Sequence, residues 1–204
     1  MQSLKLGLPS MCRSWLRRPA CAARILKVNV YIDDVDRDSA RALLRNEAPF
    51  QAHRMRRLNM AGRLGTPADV VIFSYHLRCH ASLEEFSVHG AALDTAASMG
   101  AVVDACIALR LRTLEVWACR VVPAVLPELT RLIAAGALRE LTVENHGVAM
   151  FDEAHASTRL FVAAVRTSAM TRLRLVDLSR AAPASVVEAA AFINARCSIR
   201  TDLN

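Results

Sequence analysis

The sequence predicts an α/β chain of about six strand-helix repeats, each 27–32 residues long, with parallel strands in one layer and helices in the other. Three observations predict it. The stretch LRTLEVWAC spaces its apolar residues Leu111, Leu114, Val116 and Cys119 three, two and three apart. A surface helix repeats every 3.6 residues and a half-buried strand every two, so this rhythm belongs to neither for its whole length. The same rhythm then returns along the chain at nearly constant intervals, and the intervals themselves have helical patterning.

The strands come first. MRRLNMAGR places Met55, Leu58 and Met60 in the rhythm, and LEEFSVHGA places Leu83, Phe86 and Val88. LRELTVENH supplies Leu138, Leu141, Val143 and His146, and MTRLRLVDL supplies Met170, Leu173, Leu175 and Leu178. The central residues Leu58, Phe86, Leu114, Leu141 and Leu173 are 28, 28, 27 and 32 positions apart. A step of 28 back from Leu58 reaches Val30 in LKVNVYI, and the same step beyond Leu173 reaches Thr201 in SIRTDL, read as a further extended segment. The longer step puts a few extra loop residues around VAMFDEAHAS.

The helices follow in the same order. DSARALLRNEAPF is the first and weakest, because Pro49 ends it. TPADVVIFSYHLRCHASL starts with Thr66 as N-cap and Pro67 at the first helical position. VPAVLPELTRLIAAGA carries Leu126, Leu129, Leu132 and Ile133 at helical spacing and closes on Gly136. STRLFVAAVRTS and PASVVEAAAFINA repeat the design.

This alternation resembles the leucine-rich repeat family, in its ribonuclease-inhibitor-like class, over about residues 26–204. The match to LxxLxLxxN/CxL is strongest in LRTLEVWACRV (111–121) and LRELTVENHGV (138–148). The resemblance implies a leucine-rich repeat solenoid, a horseshoe arc with strands on its concave face and helices on its convex face. It also implies that the Asn or Cys after each strand is buried and bonds backbone groups of adjacent turns. Cys119 and His146 hold that place here, whereas Arg63, Ala91 and Leu178 hold it elsewhere, so the ladder is incomplete.

Composition narrows the function. The chain of 204 residues is 53% hydrophobic and 22% charged, which is a globular balance. Its net charge of +7 is concentrated at the start. Residues 1–32 hold six bases and no acid, leaving 20 bases against 19 acids in the rest. The repeat domain is thus near-neutral and, with 5% aromatics, lacks the basic, aromatic-interleaved stripe of a nucleic-acid binder. Residues 1–25 are set apart as a basic N-terminal segment, with organelle targeting or a remnant repeat strand in LKLGL as its readings. The most apolar stretch, 91–109, is broken by Asp94 and Asp104, which argues against a membrane span. Six cysteines without a CxxC pair fit reduced thiols in an intracellular compartment, cytoplasmic or nuclear.

In such a solenoid the outward side chains of the strands carry function. They form three columns. The first is Arg57, Glu85, Thr113, Glu140 and Arg172; the second is Asn59, Ser87, Glu115, Thr142 and Arg174; the third is Ala61, His89, Trp117, Glu144 and Val176. The expected partner-binding residues are Glu85, His89, Glu115, Trp117, Glu140, Thr142, Glu144, Arg172 and Arg174, with a basic protein surface as the partner. No cofactor is expected. The resemblance permits a substrate-recognition fragment, an enzyme inhibitor or a receptor sensor region. The alternative is a metal-dependent or thiol enzyme centred on His76, Cys79 and His80, spaced to share one helix face in HLRCH. Cys119 with His146 is a further nucleophile-base pairing, weakened by their expected burial. A chain that ends at an extended segment without a following helix would also expose a strand edge, a template for self-association.

Overall fold

The computed structural model describes residues 3–6, 27–31, 56–61, 64, 66–146, 149–177 and 182–201. Seven parallel strands lie side by side in sequence order: β1 (Ser3–Leu6), β2 (Lys27–Tyr31), β3 (Arg57–Ala61), β4 (Glu85–His89), β5 (Thr113–Cys119), β6 (Glu140–Asn145) and β7 (Arg172–Asp177). From β3 onward they alternate with helices: α1 (Pro67–Leu77), α2 (Ala96–Leu109), α3 (Leu126–Ala134), α4 (Ala156–Thr167) and α5 (Ala184–Thr201). Neighbouring parallel strands need a long crossover, and the helices supply it. β1 falls on the LKL of the basic N-terminal segment and pairs with β2; the rest of residues 1–25, and the helix expected in DSARALLRNEAPF, lie outside the described residues. None of the described helices is long and apolar enough to cross a membrane.

The opening rhythm becomes three buried rows. Leu58, Phe86, Leu114, Leu141 and Leu173 stand in register across β3 to β7, each at most 2% exposed. Met60, Val88, Val116 and Val143 form the second row. Leu83, Leu111, Leu138 and Met170, just before the strands, form the third. All pack into one core with helix residues such as Val70, Phe73, Val102, Leu129 and Phe161. The wide spacing before the strand places a residue on the bend that leads in from the helix; the two-residue spacing lies within the strand.

Local chemistry sets the helix ends. Thr66 Oγ1 accepts from Asp69 N at 3.2 Å, with Pro67 opening α1, and Thr95 Oγ1 does the same for Ser98 N at 3.1 Å at the start of α2. A 3₁₀ turn, Pro123–Val125, precedes α3, and Gly136 follows α3 at φ +78°. The extra loop before α4 turns Met150 and Phe151 into the core, where the Phe151 and Phe161 rings lie 5.4 Å apart.

Three expectations are corrected. Leu58 pairs with Val28, so Val30 lies opposite Met60, two residues from its expected place but on the same face. Thr201 ends helix α5 and lies in no strand. Val186, Ala189 and Ile193 bury one side of α5, and no proline or glycine interrupts it from Ala184 to Thr201.

The third correction concerns the polar ladder. Ala118 adopts φ +51° and bulges β5, so Cys119 pairs with Asn145 rather than with His146. Cys119 Sγ accepts from Ala91 N at 3.3 Å, and Asn145 Oδ1 accepts from Val121 N at 2.7 Å. Asn145 is fully buried, whereas His146 is exposed and turns to Glu144. The extra residue in β5 has no counterpart in β6, so the ladder position comes one residue sooner there. Arg63 and Leu178 lie outside the described residues.

Candidate functional site on the sheet face

With the apolar rows committed to the core, alternation sends the intervening side chains to the other face of the sheet. The first two columns stand in the expected register, from Arg57 to Arg172 and from Asn59 to Arg174. The third holds only in part. Ala61, His89 and Trp117 are aligned, but the bulge takes Trp117 out of register with Glu144, which pairs with Val176.

Charges in the first column answer one another across neighbouring strands. Arg57 Nε lies 2.8 Å from Glu85 Oε2, and Arg172 Nη1 lies 4.0 Å from Glu140 Oε2. Both pairs are well exposed and contribute little to stability; their effect is to offset part of the negative charge that Glu85 and Glu140 bring to the face. The opposite charges one repeat apart were the sequence signal for them. Thr142 was expected at the surface but is 7% exposed, and Ser87 is 9% exposed, so the second column is lowest at these short residues. Arg57, Asn59, Glu85, Ser87, Thr113 and Glu115 line a hollow of about 160 Å³. It is smaller than the roughly 300–1,000 Å³ usual for a small-molecule site.

Trp117 gathers three polar or charged neighbours on this face. His89, on β4, stacks against its ring with centroids 6.0 Å apart and planes 20° apart. Arg174, on β7, sets its guanidinium carbon 5.4 Å from the ring centroid. These residues come from strands on opposite sides of β5, so the indole is held from two directions. Trp117 Nε1 also donates to Glu115 Oε2 at 3.2 Å. Stacking, cation–π attraction and a hydrogen bond together orient a large, half-buried aromatic that would otherwise turn freely. Partial burial holds the His89 imidazole below its ordinary pKa, against the opposing pull of Glu115 and Glu144. Glu144 Oε1 lies 3.2 Å from His146 Nε2.

The other candidate constellations are dispersed. Helix α1 ends at Leu77, so Cys79 and His80 lie in the turn beyond it. Cys79 is exposed and His80 is buried, so with His76 they share no face. Among the described residues no group of three or more His, Cys, Asp or Glu side chains is placed to hold a metal ion. Burial pushes the Cys119 thiol up to about 11, and its S–H points to Trp117 O at 3.2 Å, away from any base.

Comparison with protein-family models finds no match, and no curated protein sequence is significantly similar to this chain.

Proposed function

We propose that the chain is a leucine-rich repeat solenoid of the ribonuclease-inhibitor-like class that binds a protein partner through the outward face of its sheet. The observation that carries this reading is the ordered cluster His89–Trp117–Arg174, bordered by Glu115 and Glu144. Aromatic and arginine side chains dominate binding energy when they are rigid and sit at the middle of an interface. A tryptophan already fixed by its neighbours loses little freedom on binding. The acids beside it favour a partner with a basic surface. The polar ladder of Cys119 and Asn145, which ties the turns after β5 and β6 each to the one before it, supports the solenoid reading. The proposal places the protein in the cytoplasm or nucleus, where the free thiols of Cys79, Cys106 and Cys119 stay reduced. It assigns no catalytic step to the chain.

Partner capture from cell extract tests the reading, with the native chain beside Trp117→Ala and beside Glu115→Lys with Glu144→Lys. A specific protein should be retained by the native chain, lost with either variant, and released as salt rises. Capture insensitive to salt and to all three substitutions would place binding on another surface.

A further inference from the structure

We propose a second interaction surface, at the edge of the sheet where the strands begin: an arginine-lined groove that takes an acidic peptide segment of a partner protein. The row Arg56, Glu84, Arg112 and Arg139 runs along this edge, one residue per repeat. The backbone fixes the row. Arg56 O accepts from Glu84 N and Glu85 N, Glu84 O from Arg112 N and Thr113 N, and Arg112 O from Arg139 N and Glu140 N, all at 2.7–3.1 Å. Behind the row, α2 and α3 give way to Arg110 and to Ala135–Gly136, and the two layers border a groove of about 1040 Å³.

The groove holds four arginines against one glutamate. Glu84 offsets Arg56, 3.7 Å away, and Arg139 Nη1 donates to Ala169 O at 2.8 Å. The side chains of Arg110 and Arg112 are exposed and make no ion pair or hydrogen bond among the described residues. They are not spent on closing the helices. Arg110 N and Leu111 N already cap Ile107 O and Cys106 O, and Gly136 N caps Ile133 O. Arg110 is moreover held at φ +54°, the conformation in which α3 uses Gly136. A planar guanidinium fork without an internal acceptor matches a carboxylate.

The remaining lining favours peptide over nucleic acid. Ala81, Ile107, Leu109, Ala135 and Ala137 supply an aliphatic floor, and no aromatic ring lines the groove. Single-stranded nucleic-acid sites rely on such rings to stack bases. An acidic segment with interspersed aliphatic residues satisfies both halves of the surface.

Fluorescence anisotropy of the full chain with a labelled peptide of alternating glutamate and leucine tests this. Arg110→Ser with Arg112→Ser should weaken binding about tenfold or more, as loss of charge-assisted bonds requires. Glu84→Gln should tighten it, and Trp117→Ala should leave it unchanged, which separates this groove from the sheet face. Far-UV circular dichroism of the arginine variant confirms that it is folded. Equal binding of the glutamine-for-glutamate peptide, equal binding of oligothymidylate, or no loss in the folded arginine variant would overturn the proposal.

Discussion

The side-chain amide of Asn194 pairs with the backbone of Leu173 as a neighbouring strand would. Leu173 N donates to Asn194 Oδ1 and Asn194 Nδ2 donates to Leu173 O, both at 3.1 Å. Leu173 sits in β7, the last strand of the sheet, and Asn194 comes from α5, which packs against it. The edge that could recruit another chain is thus answered at this position by a helix side chain. Asn194→Ala should cost about 1 kcal/mol, the net value of such bonds. It should also raise the apparent mass in light scattering as concentration increases. An unchanged mass and midpoint would show that the amide does not guard the edge.

The register of β6 can be read from unfolding. Leu141 is fully buried in the central row, so Leu141→Ala should cost about 2–5 kcal/mol. Glu140→Ala, on the opposite face of the same strand with an exposed side chain, should cost about 0.5 kcal/mol or less. A slip of one residue would exchange inward and outward sets. Equal denaturation midpoints for the two variants would contradict the register.

Asn145 and His146 are neighbours with opposite fates. Asn145→Ala leaves the buried Val121 N–H without its 2.7 Å acceptor and should cost about 1–3 kcal/mol. His146→Ala should cost about 0.5 kcal/mol or less, because its ring is exposed. Chemical denaturation of both variants checks the order; a larger loss for His146→Ala would restore it to the ladder.

His89 gives a pH dependence of defined sign. Its folded-state pKa lies below the unfolded value, chiefly through burial, so the unfolded chain binds the proton more readily. Its contribution to stability is therefore complete above the ordinary imidazole range and is lost as pH falls from that value towards the folded one. An imidazole NMR titration should find the midpoint depressed. Glu115→Gln should depress it further, since the carboxylate opposes the burial. A midpoint raised by Glu115→Gln would refute this account of the site.

The alternating strand-helix order, the central row from Leu58 to Leu173, the Thr66 cap and the Gly136 stop were legible in the sequence. Each depends on side chains within a few residues or on a repeat that brings like positions together. The first two outward columns followed from the same alternation. The bulge at Ala118 was not legible, because nothing in ACRV distinguishes a residue that extends a strand from one at positive φ. That choice transfers the ladder from His146 to Asn145 and takes Trp117 out of register with Glu144. The alternation set His89 beside Trp117 in the third column, but it could not bring in Arg174, which reaches the indole from β7 only once the sheet is formed. The amide of Asn194 reaches Leu173 in the same way. Local chemistry and periodicity determined which residues face inward; tertiary packing decided which polar groups, distant in the chain, satisfy one another.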